Sequence, residues 1–223
     1  LQPHESALVT GGGRRLGFII ASTLKKMGFE VVIHQRSLSS IDKNSLYQQG
    51  YHVIEGDLRD NDCLLSLMSN AQRMVTYPLR IFINNAAIFG KSYHIDDYYE
   101  VNVKIPITLM MSFHQYCQHG HIINILDGDI FQNQPGLFDY QWSKKALYQV
   151  SMMLKDQLFP RIRINHIAPS MLLKSSNPID DTFEQRRAKM AYPPTMDDFK
   201  KALSMCIKTS SLNGETIIVG RYM

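Results

Sequence analysis

Ser6-Ala-Leu-Val-Thr10-Gly-Gly-Gly-Arg-Arg-Leu-Gly17 is the stretch from which the fold follows. Ser6–Thr10 is an apolar run of strand length, and a helical pattern follows over Leu16–Met27. Between them a glycine-rich turn opens directly into the helix. Such a turn lets backbone N–H groups approach a pyrophosphate at the positive end of a helix. Gly11 suits the tight reversal and Gly17 the close helix packing. A glycine cluster alone is an ordinary strand-to-helix turn. Its place at the head of a βαβ unit makes it a dinucleotide site, with Gly11, Arg14, Arg15 and Leu16 nearest the ligand.

Outward from this stretch, strands and helices alternate to the end of the chain. Strands are predicted at Ser6–Thr10, Glu30–His34, His52–Glu55, Arg80–Asn84, His121–Leu126, Arg163–Ile167 and Thr216–Val219. Helices are predicted over Leu16–Met27, Asn61–Val75, Asp96–Gln118, Leu137–Phe159 and Thr195–Thr209. The strand runs lack strict alternation, as strands buried on both faces of a parallel sheet do. The order predicts a single α/β domain over 1–223, doubly wound with right-handed crossovers. No linker or repeat divides it. Lys174–Ala191 is polar and rich in turn residues, and the region of about 171–194 is expected to be a mobile substrate loop.

The 223 residues suffice for one sizeable core, and 44% hydrophobic with 20% charged residues is ordinary for a soluble globular protein. Cys63, Cys117 and Cys206 are widely spaced and form no metal or disulfide framework, which fits a reducing, cytoplasmic setting. No apolar run approaches the ~20 residues of a membrane span. The formal charge of +4 is mild, and no Lys/Arg run is long enough to read as a nucleic-acid stripe. Neither a membrane nor a nucleic-acid partner is expected, and no metal.

The end of the second strand separates NAD from NADP. An NAD site places an acid there to hold the ribose hydroxyls. Here the chain reads Ile33-His-Gln-Arg-Ser37, with no acid until Asp42. His34, Arg36 and Ser37, with Arg15 from the turn, are expected to receive a 2′-phosphate, for which a guanidinium fork is well shaped. The expected cofactor is therefore NADPH. Asp57 and Leu58 follow the third strand, where an adenine would lie. Asn85, Ala86 and Ala87 follow the fourth, where small residues let backbone approach the cofactor.

A second constellation lies in the later half. Tyr140-Gln-Trp-Ser-Lys144 sets a phenol and an ammonium one turn apart on one helix face. Asp127 stands thirteen residues before the tyrosine, after Ile122-Ile-Asn-Ile-Leu126.

In this order, the glycine turn, Asn84-Asn-Ala-Ala87, Asn102 in Val101-Asn-Val103, Tyr140-x-x-x-Lys144 and Ala168-Pro-Ser170 resemble the short-chain dehydrogenase/reductase family over nearly the whole chain. The resemblance implies a Rossmann domain with a seven-stranded parallel sheet flanked by helices, and a homotetramer or homodimer. It implies a catalytic group of Asn102, Asp127 in place of the usual serine, Tyr140 and Lys144. It extends the cofactor wall to Tyr140, Lys144, Pro169 and Ser170. Within the family the chain is most similar to pteridine reductases and bacterial dihydromonapterin reductases. Thr10–Gly17, His34 with Arg36, Asp127 and Asn133-Gln-Pro135 carry that likeness. Phe89 occupies the place of an aromatic that stacks on the pterin, so Phe89, Asp127, Tyr140 and Met171 are the expected substrate contacts. Ala87 and Ser170 depart from the usual serine and glycine, and the chain ends Val219-Gly-Arg-Tyr222 rather than Val-Asp-Gly-Gly.

The implied activity is reduction of a dihydropterin, of dihydromonapterin or dihydrobiopterin type with dihydrofolate as a further candidate, to the tetrahydro form. Free tyrosine titrates near ~10, too high for efficient proton delivery at neutral pH. An ammonium at ~4 Å in an effective dielectric of ~20 lowers it by about 3 units before desolvation opposes. Asp127, if ionised, opposes Lys144 and keeps Tyr140 protonated. If protonated, it donates itself. Two alternatives stand beside this reading: a carbonyl or 3-oxoacyl-thioester reductase that has lost its serine, and a non-catalytic NADP(H)-binding sensor. Trp142 is expected in the core or at a subunit interface, His121 and His166 in structural roles, and Arg186 and Arg187 on a solvated face, with contact to a substrate tail as the lesser alternative.

Overall fold

The computed structural model describes residues 4–90, 93–131, 138–174 and 183–222. In chain order the elements are β1 (Ser6–Thr10), α1 (Arg15–Lys26), β2 (Glu30–Gln35), α2 (Ser40–Gln48), β3 (His52–Glu55), α3 (Asn61–Met74) and β4 (Leu79–Asn84). There follow α4 (Ile95–Tyr99), a π-helical segment (Glu100–Lys104), α5 (Ile105–Tyr116), β5 (Gly120–Ile125), a 3-10 turn (Gly128–Phe131) and α6 (Phe138–Leu158). The chain closes with β6 (Ile162–Pro169), α7 (Phe183–Ala188), β7 (Met190–Tyr192), α8 (Met196–Lys208), β8 (Thr216–Val219) and β9 (Arg221–Tyr222).

Seven strands form one parallel sheet in the order β3-β2-β1-β4-β5-β6-β8. The order reverses between β1 and β4, and it is outside the carboxyl ends of strands at such a switch point that ligands bind in open α/β sheets. Successive strand residues point to opposite faces, and each face is covered. Leu8, Val32, Phe82, Ile122 and Ile164 pack with Leu67, Phe113 and Leu147 of α3, α5 and α6. Val9, Ile33, Ile83, Ile123 and Ile167 pack with Ile20, Leu24, Phe199 and Leu203 of α1 and α8. This double burial is why the strands read as unbroken apolar runs.

Four features depart from the sequence reading. The helix α2 was not anticipated, because Leu46 is its one buried residue and no apolar face marks it. The local signal is its cap: Ser39 Oγ accepts from the Asp42 N–H at 3.1 Å. The single helix expected over Asp96–Gln118 is broken by the π segment at Glu100–Lys104, which precedes Pro106 at the start of α5. Such segments occur mostly as single-turn bulges, frequently at functional sites. Within the expected loop of 171–194, α7 and β7 are ordered elements, and β7 pairs antiparallel with β9. Residues 175–182 of that loop, and Asn133-Gln-Pro135, lie outside the described residues. Among the described residues no helix is long and apolar enough to cross a membrane.

Candidate active site

A cleft of about 590 Å³ lies over the switch point, within the range of small-molecule and cofactor sites. At one end is the glycine turn. Gly11 holds φ +63°, a left-handed conformation that favours glycine. At Gly17 a Cβ would come 2.0 Å from the Gly11 carbonyl oxygen and 2.8 Å from Asn85 Nδ2, so no side chain fits there. Asn85 Nδ2 donates to the carbonyls of Thr10 and Gly11 at 2.9 and 3.2 Å, and Thr10 Oγ1 accepts from the Asn85 and Ala86 N–H groups at 3.1 Å. The turn is thus tied to the start of the loop after β4. Arg14 caps α1 with no side-chain bond, and the first turn of α1 contains no acid. The first N–H groups of a helix have no intrahelical partner, and the positive end of the helix dipole lies behind them.

The walls beside this turn carry Arg14, Arg15, Leu16, His34, Arg36, Asp57 and Leu58. Arg59 joins them, in a bidentate pair with Asp57 at 2.6 Å that holds the Asp57 carboxyl below its usual range. Sequence reasoning passed over Arg59, although its spacing two residues from Asp57 was visible. His34 is buried, its Nε2 lies 2.9 Å from the Gly56 carbonyl, and burial lowers its pKa. It therefore offers a neutral ring to this end of the cleft, not a cation. Arg15 donates to the Lys174 carbonyl across the cleft mouth. Ser37 opens on a small neighbouring pocket with Gly13, Ser39 and Asp42.

At the other end, Asp127, Tyr140 and Lys144 meet. The Tyr140 hydroxyl donates to the Asp127 carboxylate, and the Asp129 N–H donates to Asp127 Oδ1 at 2.9 Å. Burial, with Asp129 nearby, pushes the Asp127 pKa up to about 6 against those hydrogen bonds and the Lys144 charge. Burial also holds Lys144 down to about 8, and its Nζ donates to the Ile125 carbonyl at 2.9 Å. Tyr140 is raised well above its ordinary value, first by burial and then by Asp127. The lowering that the Lys144 ammonium would bring by itself does not prevail, because desolvation of the phenolate and the hydrogen-bonded Asp127 carboxylate outweigh it.

Asn102 sits in the π segment and is buried behind the cleft wall. Its Oδ1 accepts from the Ile88 N–H at 2.9 Å, and its Nδ2 donates to the Ile88 carbonyl and to Ser143 Oγ, both at 3.1 Å. Ser143 Oγ donates in turn to the Tyr140 carbonyl at 2.7 Å. One amide thus braces the loop bearing Phe89 to the helix bearing Tyr140 and Lys144. Phe89 is 45% exposed, and its ring meets Tyr140 edge-on, with centroids 4.7 Å apart and planes at 87°. Pro169 and Met171 line the wall; Ser170 is fully buried beneath it, beside Gly128, where a Cβ would lie 1.9 Å from Ser170 Oγ.

The short chain dehydrogenase family model matches residues 5–181. The chain belongs to the short-chain dehydrogenase family. It is 27% identical over 199 residues to dihydromonapterin reductase of Enterobacter sp. (strain 638), covering 83% of this chain and 81% of that one. It is 26% identical over 245 residues to human dehydrogenase/reductase SDR family member 4, covering 97% and 86%. The crystal structure of FolM alternative dihydrofolate reductase 1 from Brucella canis complexed with NADP superposes with a TM-score of 0.84 at 30% identity, covering 96% of this chain and 91% of that one.

This short-chain dehydrogenase chain has cleft residues that its motifs did not reveal. The helix α7 supplies Phe183 and Arg186 to the lining, and Arg186 forms an ion pair with the buried Asp129. Arg187 donates to the carbonyls of Met171 and Pro194, both at 2.7 Å. The solvated face expected for these arginines is therefore not what forms: both guanidiniums turn inward. Their place in a polar stretch favoured solvent and left a substrate tail as the lesser alternative. Trp142 is 37% exposed and packs beside Tyr99. His121 and His166 are buried against Asn165 and Ser151 at 2.8 and 2.6 Å, with pKa values pushed down to about 3 and about 4 by burial.

The raised pKa of Asp127 has a consequence for stability. Its folded value of about 6 lies above the ordinary 3.8, so its contribution is fully favourable below pH 3.8 and is lost as pH rises through 6. Above that range the half-buried carboxylate is a net cost. Asp127→Asn is expected to be more stable than the parent at pH 8 by about 1–2 kcal/mol, after allowance for the cleft-facing side of Asp127 and for the anion lost beside Lys144. The gap should close toward pH 4. Urea unfolding at the two pH values tests this; a gap independent of pH would contradict it.

Proposed function

We propose that this protein is an NADPH-dependent reductase of a dihydropterin, forming the tetrahydro product. The observation that carries the reading is Asp127: a carboxyl of raised pKa, accepting from the Tyr140 hydroxyl, in a cleft with a half-exposed aromatic platform at Phe89. A ring rich in N–H and C=N groups offers such a carboxyl more partners than a simple ketone does. A flat heterocycle stacks on Phe89 through its face. Relatives named for dihydromonapterin and dihydrofolate reduction support the same choice.

The residues present fit a dinucleotide. Gly11, Gly17 and the uncapped start of α1 form a cradle that a Cβ would fill. Arg14, Arg36 and Arg59 lie at the adenosine end, and β2 ends without an acid, which supports NADPH over NADH. When bound, a reduced nicotinamide supplies the hydride. The chain's own residues do the rest. Phe89 orients the substrate ring, Tyr140 delivers its hydroxyl proton to the substrate, and Asp127 in its protonated form donates to the Tyr140 oxygen and replaces that proton. Lys144 keeps a positive charge beside the pair, anchored at the Ile125 carbonyl. Asn102 acts through Ile88 and Ser143 as a positioning residue.

The test is NADPH oxidation measured in parallel with a dihydropterin, dihydrofolate and a β-ketoacyl thioester, with NADH as the second cofactor. Turnover of the dihydropterin with a clear preference for NADPH is expected. Activity confined to the ketone would end the pterin reading, and equal rates with both cofactors would end the NADPH assignment. Tight NADPH binding without turnover of any substrate would point to a sensor.

A further inference from the structure

Asp129 stands at the substrate end of the cleft with two unlike oxygens. One, Oδ2, pairs with Arg186 of α7. The other, Oδ1, is buried and has no hydrogen-bond partner among the described residues. The side chain as a whole is 7% exposed and lines the same cleft as Phe89, Asp127, Tyr140 and Arg186. A buried carboxylate oxygen without a donor costs about 1–3 kcal/mol or more, and that cost is recovered when a ligand brings an N–H or O–H. A buried polar atom with no internal partner calls for an explanation, and a donor on an incoming ligand is one.

The pair also settles which charge this end of the cleft presents. Arg186 is the cation that α7 adds to the lining, and Asp129 compensates it. Arg187 on the same helix is turned to backbone carbonyls instead. Arg15 is bonded to the Lys174 carbonyl. Asp127 and Asp129 together make this end acidic once Asp127 ionises. An anionic substituent entering here meets two carboxylates, a guanidinium already paired and the Lys144 ammonium turned to the Ile125 carbonyl, whereas a neutral hydroxyl-bearing one meets an acceptor in want of a donor.

We infer that Asp129 is a specificity-determining residue: through its unpaired oxygen it favours dihydropterins with a neutral hydroxylated side chain, and by compensating Arg186 it disfavours those with a carboxylate-bearing tail. This rests on the pterin reading above and goes beyond it by naming the substrate subclass. Placing like charges together suppresses the wrong ligand more than it strengthens the right one, so the effect falls mainly on KM.

The experiment is steady-state kinetics with NADPH on dihydromonapterin and on dihydrofolate, for the parent chain, Asp129→Asn, Arg186→Gln and the double variant. The parent is expected to prefer dihydromonapterin in kcat/KM. Asp129→Asn leaves the Arg186 charge uncompensated, so the preference should shift toward dihydrofolate by about tenfold, through a lower KM for dihydrofolate rather than a higher kcat. Adding Arg186→Gln to Asp129→Asn should cancel that gain. Thermal melting shows whether each variant is folded, and Arg186→Gln alone, which should not improve dihydrofolate, keeps the idea testable if Asp129→Asn fails to fold. A parent that turns over both pterins, with a ratio that Asp129→Asn or its rescue does not move, overturns the role of Asp129 alone. A parent that turns over neither pterin overturns the pterin reading and this inference with it.

Discussion

Gly17→Val is expected to abolish dinucleotide binding while the chain remains α/β. The first β-carbon would lie 2.0 Å from the Gly11 carbonyl oxygen and 2.8 Å from Asn85 Nδ2. Neither is the far end of a flexible side chain: one is backbone, and the other is held by two hydrogen bonds to Thr10 and Gly11. The turn must therefore open, and the N–H groups at the start of α1 move away from one another. A pyrophosphate site depends on those groups converging, and a shift of ~1 Å is enough to lose most of it. NADPH affinity, measured by calorimetry, should fall by a factor of ~100 or more. A variant that still bound NADPH within threefold, as a rough limit, would show that the turn is not the site of the phosphates.

Tyr140→Phe is the second large effect. It removes the hydroxyl and leaves the ring, so the edge contact to Phe89 and the packing of α6 survive. Proton delivery by a positioned side chain contributes typically ~10²–10⁴-fold, and kcat for the dihydropterin should fall by that range with NADPH affinity kept. The parent's pH profile follows from the same pair. Tyr140 stays protonated throughout the working range, so the first titration met as pH rises is that of Asp127 at about 6, with Lys144 following at about 8. Below it, Asp127 carries the proton that replaces the one Tyr140 gives up. As pH rises through it, a carboxylate faces the forming phenolate and the rate should decline. In Asp127→Asn this inflection should disappear. Retention of kcat in Tyr140→Phe within tenfold, as a rough limit, would remove Tyr140 from the proton path.

The sheet was legible because seven strands buried on two faces leave long apolar runs, and the two longest-range motifs fall at their ends. What the residues concealed has physical causes. The helix α2 buries one side chain, so periodicity carried no information about it. The break at Glu100–Lys104 coincides with Asn102 reaching Ile88 and Ser143, a tertiary contact absent from any local window. Arg186 and Arg187 lie in a stretch that reads as solvated, and only folding reveals the carboxylate and carbonyls they meet. The Coulomb argument for Tyr140 failed for a different reason. It set the ammonium one turn away against a desolvation whose size it left open, and burial is the first cause of the shift in all three groups.

The brace formed by Asn102 bears on how the enzyme uses binding energy. The surface that would receive the substrate ring and the helix that would protonate it are joined through one amide before any ligand arrives. Their mutual orientation is thus an equilibrium property of the empty fold. A substrate entering the cleft loses its own translational and rotational freedom, but it does not have to order the two sides of the site against each other. The orientational entropy of assembling the reacting geometry is met during folding rather than at each turnover.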